Sequence, residues 1–379
     1  MPVIYLDNNA TTKPHPDVLS ALLPFYTELW GNPSSIHHFG SQVTKHVDHA
    51  RDQVARLIGA QKSNEIIFTS GGTEANNLAI RGALQANPKK RHIITTQVEH
   101  SSVSSLCHEL EKENFKITYL PVQSSGALHL EDLKKAIRSD TALVSIMWAN
   151  NETGVLFPVE EIAKICEENK IPFHSDAIQA VGKIPVDLQK ARVSLLTLAG
   201  HKLHAPKGVG ALYVRRGTQI KAQLVGGSQE RSRRAGTENV AGIIGLGKAC
   251  ELSQKRLAQN GCQTSELRNS FETHLKDKFG FVQINGKEGP RLPNTSSITF
   301  EGLDAETICL LLNEEAIAVS TGSACSAGSL DPSHVLKAMG FSQKRSKGTV
   351  RFSLSFETTN EEINQTITVL EKVLRRLKK

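Results

Sequence analysis

Residues 70–73 have the composition of a phosphate-binding turn. The apolar run Ile66–Thr69 predicts a strand before them, and a helical pattern follows from Gly72 and Thr73. A helix that begins there offers backbone N–H groups and its positive dipole end to a phosphate. The spacing excludes the GxGxxG and GxxxxGK[ST] patterns of dinucleotide and P-loop sites. A tight strand-to-helix turn with a threonine cap is the alternative.

An aspartate and a lysine follow two further predicted strands. Asp176 comes after the apolar run at 172–175, at the strand end where α/β folds bind ligands. A buried carboxylate there needs a cationic partner, and a protonated pyridine nitrogen would suit it. Lys202 follows the run at 195–198, and a desolvated lysine amine can form a Schiff base with an aldehyde. The alternatives are a helix-capping aspartate and a solvated surface lysine.

Cys325 and Arg351 are the other candidates for chemistry. Small residues surround Cys325 from 320 to 329, which predicts a loop on which a thiol can reach a bound substrate. Arg351 lies in the apolar run 349–353, where its buried guanidinium needs an anion such as a substrate carboxylate. A structural salt bridge is the alternative for Arg351. We expect the other cysteines to be buried: Cys107, Cys166, Cys250, Cys262 and Cys309.

The elements that must position these residues alternate between strand and helix. Apolar runs without alternation predict strands buried on both faces of a largely parallel α/β sheet. These runs are 66–69, 92–95, 117–120, 143–146, 172–175 and 195–198. Beyond them we predict a long polar helix at 250–275, strands at 297–300 and 317–320, and a helix from Asp304. Thr359 and Glu362 have the spacing of a capping box at the start of a closing helix.

Composition limits the class of protein. The chain of 379 residues is long enough for two domains, and its charge of +7 is spread along it. No apolar run approaches the ~18 residues of a membrane span. No aromatic residues interleave with the basic run at 375–379, so we expect neither a membrane nor a nucleic-acid partner. The six cysteines form no CxxC pair, which favours a reducing, cytoplasmic location.

Seven motifs occur along the chain in an order that is typical of one family. They are YLDNNATT at 5–12, GNPSS at 31–35, SGGTE at 70–74, EH at 99–100, NNETG at 150–154, SDAIQ at 175–179 and GHK at 200–202. With them the chain resembles the cysteine desulfurases, which are pyridoxal 5′-phosphate (PLP) enzymes of the class-V aminotransferase superfamily. The small-residue loop around Cys325 is similar to that of the NifS/IscS-type group.

The resemblance implies a fold and a domain division. The fold is the PLP-dependent transferase fold type I, with a mostly parallel seven-stranded sheet and a smaller α+β domain. The large domain would span residues 16–255. Residues 1–15 and 256–379 would form the small domain, which carries the cysteine loop.

The resemblance also implies site residues. Lys202 would bind PLP through a Schiff base and move the Cα proton, and His100 would stack on the ring and take part in proton transfer. Arg351 and Asn151 would bind the substrate. The cofactor-binding set would be Gly72, Thr73, His100, Asn151, Asp176, Gln179, His201, Lys202 and Thr237, with Thr237 reaching the phosphate of the other subunit in a homodimer. From the residues alone, His100 is better interpreted as a polar residue that begins a helix.

The implied activity converts L-cysteine to L-alanine and leaves a persulfide on Cys325. The sulfur would pass to an iron–sulfur cluster scaffold or another acceptor protein. No resident metal is expected, and Cys325 would serve at most as a transient cluster ligand. The alternatives are a selenocysteine lyase, another class-V aminotransferase, or a sulfur-relay scaffold without activity.

Three positions depart from the family pattern. Ala199 stands where many relatives have a serine that binds the phosphate, so one hydrogen bond to PLP is missing. Ser355 and Phe356 replace a common Gly-Arg pair, and Ser228 replaces a common glycine. None of these changes removes a catalytic group.

Overall fold

The structure is a computed structural model and describes residues 3–321 and 333–378. The strands are β1 (Ile4–Tyr5), β2 (Ile66–Thr69), β3 (His92–Thr96), β4 (Lys116–Leu120), β5 (Thr141–Ser145), β6 (Phe173–Asp176), β7 (Leu195–Ala199), β8 (Gly210–Val214), β9 (Val282–Ile284), β10 (Thr295–Phe300), β11 (Ile317–Ala318), β12 (Ser320–Thr321) and β13 (Thr349–Ser353). The helices are α1 (Pro16–Leu22), α2 (Pro24–Thr27), α3 (His38–Leu57), α4 (Gly72–Ala86), α5 (Ser101–Lys112), α6 (Leu130–Ala136), α7 (Val159–Glu168), α8 (Gln229–Ser232), α9 (Val240–Lys278), α10 (Ala305–Glu314), α11 (His334–Ala338), α12 (Gln343–Lys347) and α13 (Asn360–Leu377).

The large sheet has seven strands in the order β2-β8-β7-β6-β5-β3-β4. All neighbours are parallel except β8, which is antiparallel to both β2 and β7. The prediction of a mostly parallel seven-stranded sheet is therefore confirmed. Six of its strands match the apolar runs of the sequence to within two residues. The strand β8 was not predicted; it begins at Gly210, directly after the proline- and glycine-containing stretch 206–209, which gives no strand signal.

Helices cover both faces of this sheet, which explains the unbroken apolar runs. Successive residues of a strand point to opposite faces. Ile66 and Phe68 of β2 belong to the same buried cluster as Val43 of α3. Ile67, between them, belongs to the cluster that contains Leu78 of α4. Each face of the sheet therefore buries its own apolar layer.

The C-terminal part of the chain forms a second, smaller sheet in the order β12-β13-β10-β9, with antiparallel neighbours. The N-terminal strand β1 pairs in parallel with β11. A separate buried cluster, which includes Phe271, Phe300 and Phe352, packs this sheet against helices. Asp304 caps α10, and the predicted capping box of Thr359 and Glu362 begins α13. The mixed α/β fold class is thus confirmed.

The longest helix, α9, connects two buried clusters. One is the large-sheet cluster that contains Ile66 and Val43, and the other is the small-sheet cluster that contains Phe300 and Phe352. Leu246 near its start lies in the large-sheet cluster, and Phe271 near its end lies in the small-sheet cluster. The predicted boundary at 255/256 falls between these two residues, and the division into two domains remains a prediction. In the described ranges, no helix combines the length and the apolar character that crossing a membrane requires.

The expectation that the other five cysteines are buried is wrong for two of them. Cys262 is exposed and Cys309 is half-buried. Cys262 belongs to the polar middle of α9, which faces solvent between the two clusters. The remaining three, Cys107, Cys166 and Cys250, are buried as expected.

Candidate active site

The carboxyl ends of strands in the large sheet surround one cavity of about 260 Å³. Asp176 ends β6, Lys202 lies in the turn directly after β7, Gly72 begins α4 after β2, and His100 precedes α5 after β3. Strand ends that point the same way meet at one edge of the sheet, where α/β folds bind ligands. The cavity lining includes these predicted residues: Gly72, Thr73, His100, Asn151, Asp176, Gln179, His201, Lys202 and Arg351.

Asp176 is buried, and hydrogen bonds fix both oxygens of its carboxylate. Oδ1 accepts from the backbone N of Ile178 at 3.0 Å, which is the local capping contact that the alternative interpretation expected. Oδ2 accepts from Asn76 Nδ2 at 2.8 Å. No ion pair between Asp176 and a basic side chain is found in the described part of the chain. A buried carboxylate with this environment suits a protonated ring nitrogen.

His100 both caps a helix and lines the cavity. Its Nδ1 accepts a hydrogen bond from Ser102 N at 3.1 Å and lies 2.9 Å from Ser102 Oγ. Since Nδ1 is an acceptor, the neutral ring carries its proton on Nε2. The hydroxyl of Ser102 also accepts from Asn76 Nδ2 at 2.8 Å. A single buried amide therefore connects the carboxylate of Asp176 to the residue that orients His100.

The N-terminus of α4, where the sequence predicts a phosphate site, begins at Gly72 beside the cavity. No side chain caps this helix at Gly71, and the first N–H groups of a helix have no partner within it. The threonine cap that we considered as an alternative is not formed. Thr73 and Gly72 both line the cavity. Ala199 lines it too and presents a methyl group, which cannot donate a hydrogen bond.

The N-terminal segment lies beside Lys202 and His201. Lys202 Nζ donates to Ala10 O at 2.7 Å and also to Asn9 O. His201 Nδ1 lies 3.2 Å from Thr11 Oγ1. Burial and the charge of Lys202 lower the pKa of His201 to about 4. At neutral pH His201 is therefore an uncharged ring that can donate one hydrogen bond.

Asn9 is a connecting residue to which the sequence reasoning gave no role. Its carbonyl oxygen accepts from Gln179 Nε2 at 3.0 Å, and its Oδ1 accepts from Lys183 Nζ at 2.9 Å. Its Nδ2 donates to Thr295 Oγ1 of the small sheet at 2.8 Å. Asn9 lies within the motif at 5–12, which marks the family but predicts no contact for this residue. These contacts join residues more than 150 positions apart, so local patterns do not reveal them.

Arg351 is buried and has both a structural partner and a place at the cavity. Its Nη2 forms an ion pair with Asp7 Oδ1 at 2.8 Å, and its Nη1 donates to Asn151 O at 3.1 Å. The salt-bridge alternative is therefore present in the structure. Arg351 Nε has no hydrogen-bond partner among the described residues. The guanidinium thus keeps a buried donor at the cavity wall.

Cys325 lies outside the described residues, as does the rest of 322–332. The chain that follows is attached beside the cavity. Ser333 Oγ donates to Glu152 Oε2 at 2.5 Å, and His334 Nε2 lies 2.9 Å from Glu99 O. Burial raises the pKa of Glu152 to about 7 and that of Glu99 to about 8. Since Glu99 directly precedes His100, this attachment adjoins the active site.

Thr237 is exposed and is not among the described residues that line the cavity. Its segment is fixed upstream at Glu230, which is buried and forms a two-point ion pair with Arg51 at 2.7 and 2.8 Å. Arg234 in the same segment pairs with Glu74 of α4 at 2.8 Å. The segment thus packs beside the first turn of α4, and Thr237 is exposed outside the described cavity wall.

The other departures lie away from the cavity. Phe356 has its ring centre 4.6 Å from that of His204 and 6.1 Å from that of His15. Neither Phe356 nor Ser228 is among the described residues of the cavity wall. We find no structural reason for the serine at 228.

The cavity fits PLP in the chemistry of its donors and charges. At the carboxyl end of β6 a buried carboxylate lacks a cation among the described residues. A helix N-terminus without a side-chain cap suits a phosphate, and the amine of Lys202 can condense with an aldehyde. A phosphorylated pyridine aldehyde combines the groups that these three features require.

Comparison with known proteins agrees with this geometry. The family model "Aminotransferase class-V" matches residues 4–366. A curated cysteine desulfurase from a Nostoc species is 52% identical over 378 residues, which is 100% of this chain and 94% of that protein. The cysteine desulfurase NifS of Azotobacter vinelandii is 49% identical, covering 99% of this chain and 93% of its own.

The fold comparison gives the same result. A solved structure described as a NifS-like protein has a TM-score of 0.93 and 38% identity, covering 99% of this chain and 100% of that one. The chain therefore belongs to the class-V aminotransferase family, within the cysteine desulfurases of the NifS/IscS type.

Proposed function

We propose that this protein removes the sulfur of L-cysteine, releases L-alanine and keeps the sulfur as a persulfide on Cys325. One observation carries the proposal: a single cavity at the strand ends is lined by Lys202, Asp176 and His100 together. Relatives of about 50% identity over the whole chain are named cysteine desulfurases. The chain also has a cysteine, Cys325, on a loop of small residues.

PLP is the cofactor that we propose for the cavity. When bound, it supplies an electron sink for the carbanion that forms on the substrate. Asp176 would hold the pyridine nitrogen protonated, and Gln179 would donate to the ring oxygen. Lys202 would bind the aldehyde. The phosphate would lie at the start of α4, with Gly72, Thr73 and His201 as donors.

Residues of the chain would carry out the remaining steps. Arg351 and Asn151 would hold the substrate carboxylate so that its Cα–H faces Lys202 Nζ, which removes that proton. The Cys325 thiolate then forms a bond to the substrate sulfur while the Cβ–S bond breaks. The electron pair left on Cβ takes up a proton, Lys202 Nζ returns a proton to Cα, and alanine leaves. His100, whose neutral ring carries its proton on Nε2, can donate a proton at this stage.

The persulfide would pass to an acceptor protein, for which we propose an iron–sulfur cluster scaffold. We further propose a cytoplasmic homodimer in which Thr237 contacts the phosphate of the other subunit. Large apolar side chains at the surface support a protein interface: Tyr26, Trp30, Ile36 and Val225 are 65%, 68%, 101% and 89% exposed. The described cysteines are free thiols, as a reducing compartment requires.

The test begins with the purified protein and PLP. Borohydride should attach a pyridoxyl group to Lys202, and L-cysteine should yield alanine and sulfide in the presence of a thiol. The variant Cys325→Ala should keep the yellow colour of the Schiff base between PLP and Lys202, but it should form no alanine. A protein that forms no adduct at Lys202, or that produces alanine at the wild-type rate without Cys325, contradicts the proposal. Amino transfer to a keto acid would indicate an aminotransferase instead.

A further inference from the structure

A second lysine, Lys183, lies directly behind the proposed PLP site. It is not among the described residues that line the cavity. Its Nζ donates to Gln179 Oε1 at 2.5 Å and to Asn9 Oδ1 at 2.9 Å. Both acceptors belong to residues that do line the cavity. Lys183 therefore contacts residues of the cavity wall but does not itself belong to that wall.

These contacts decide which end of the Gln179 amide faces the cavity. The Lys183 ammonium can only donate, so it selects the amide oxygen. The carbonyl oxygen of Asn9 can only accept, and it lies 3.0 Å from Gln179 Nε2. The amide nitrogen of Gln179 carries two hydrogens and donates one of them to the carbonyl oxygen of Asn9. Among the described residues no further acceptor contacts this nitrogen, so its second hydrogen can serve a ligand in the cavity.

The position of Lys183 is electrostatically unfavourable, which argues that it serves a purpose. Burial and the positive charges of Lys202 and Arg351 lower the pKa of Lys183 well below its usual value. His201 and His204 also lie close enough to be affected by its charge. A methionine or leucine would fill the same space without this cost.

We propose that Lys183 is a positioning residue. It fixes the Gln179 amide so that Gln179 Nε2 donates a hydrogen bond to the ring oxygen of PLP. This inference rests on the proposed function. It predicts that Lys183 contributes to PLP binding only through Gln179. Without Lys183 the amide can rotate or move into the cavity, and its directed hydrogen bond is lost.

A double-mutant cycle tests the inference. Apoprotein is titrated with PLP for wild type, Lys183→Met, Gln179→Ala and the double variant. We expect Lys183→Met to weaken PLP binding about tenfold, as the loss of one hydrogen bond would. In the Gln179→Ala background the same change should alter the affinity less than about twofold. Lys190→Met, at an exposed lysine seven positions away, is the matched control and should bind PLP like wild type.

Two further measurements separate positioning from a general structural role. For 3-deoxypyridoxal phosphate, which lacks the ring oxygen, Lys183→Met and wild type should bind equally. Urea unfolding of the apoproteins reports any loss of stability, which would not depend on the ligand used. Lys183→Ala replaces Lys183→Met in every comparison if the methionine variant does not fold.

Three outcomes would overturn the inference. Lys183→Met could bind PLP as tightly as Lys190→Met, it could lose affinity equally in the Gln179→Ala background, or it could lose affinity equally for the deoxy analogue. Failure of the wild-type protein to bind PLP would instead contradict the proposed function itself. The two failures are therefore distinguishable.

Discussion

Asn76 Nδ2 donates a hydrogen bond to Asp176 Oδ2 at 2.8 Å, and the same nitrogen lies 2.8 Å from Ser102 Oγ. Asn76 lies in α4 and is fully buried. Its two N–H groups therefore hold in place both the carboxylate of Asp176 and the hydroxyl that contacts His100. Two groups of the active site, one at the end of β6 and one at the start of α5, share one point of attachment.

The first prediction concerns this amide. Asn76→Ala leaves a buried carboxylate oxygen and a buried hydroxyl without their donor, so we expect a loss of about 1–3 kcal/mol in the free energy of unfolding. PLP binding should weaken too, because Asp176 is no longer held in place. Urea unfolding of the apoprotein and titration with PLP measure the two effects.

Asn87→Ala at the other end of α4 is the control for Asn76→Ala. Within the described ranges, Asn87 Nδ2 donates only to a backbone carbonyl of its own helix, Ala83 O at 3.2 Å. Its replacement should leave PLP affinity unchanged. Equal losses of PLP affinity in the two variants would show that Asn76 has no special role at the site.

The second prediction concerns the pH dependence of stability. Burial raises the pKa of Glu99 to about 8 in the folded protein, against an ordinary value of 4.5, and the charge of Asp176 adds to this rise. The stability due to the protonated carboxyl is complete at low pH and is lost as the pH rises toward 8. Relative to wild type, Glu99→Gln should therefore gain stability between about pH 5 and pH 8. Buried His174, whose pKa falls to about 3, acts in the opposite direction but is common to both proteins.

Melting temperatures measured across this pH range test the effect of Glu99. Glu109→Gln, at an exposed glutamate of α5, is the control and should follow the wild-type curve. A constant difference between Glu99→Gln and wild type from pH 5 to 8 would mean that the carboxyl is ionised throughout.

The third prediction concerns the buried ion pair of Arg51 and Glu230, which fixes the segment that carries Thr237. Removal of one partner leaves an uncompensated buried charge, so Arg51→Ala should cost about 3–5 kcal/mol in the free energy of unfolding. Arg81→Ala removes a partly exposed pair with Glu113, also at 2.8 Å, and should cost about 0–1 kcal/mol. Urea denaturation of the two variants compares these costs, and similar values would contradict the assigned role of Arg51.

The fourth prediction concerns Arg351 and the substrate. Arg351→Gln should lower kcat/KM for L-cysteine by about a hundredfold, which corresponds to about 3 kcal/mol and is typical of lost hydrogen bonds to a charged group. PLP binding should remain, since Arg351 is proposed to contact the substrate carboxylate and not the cofactor. Asp7→Asn keeps the guanidinium and should reduce kcat/KM much less. If the two variants lose activity equally, the ion pair with Asp7 is the main role of Arg351.

Much of the fold could be predicted from the sequence because the large sheet is covered on both faces. Its strands then appear as continuous apolar runs, as Ile66–Thr69 and Leu195–Ala199 do. The strand β8 begins at Gly210 directly after a glycine-rich turn, which hid its start. The strands β1 and β9 have only two and three residues and leave no periodic signal.

The site could be predicted where a residue lies next to a recognisable strand end, as Asp176 and Lys202 do. Asn76, Asn9 and Lys183 could not be found in this way, because their roles depend on contacts with distant parts of the chain. The one local feature of Lys183 is that it follows Gln179 by four positions, which does not by itself predict a contact between them. Arg351 forms the salt bridge that one interpretation predicted and also lines the cavity, while its binding of the substrate carboxylate stays a prediction.

The most direct test of the proposed activity is to follow the sulfur atom. The PLP-loaded protein is incubated with one equivalent of L-cysteine without reductant, the alanine is quantified, and the thiols are alkylated and mapped by mass spectrometry. The account predicts about one alanine per active site, with one extra sulfur atom on Cys325 and none on exposed Cys262. Alanine formation with no sulfur on Cys325, or a persulfide that forms equally on Cys262, would contradict it.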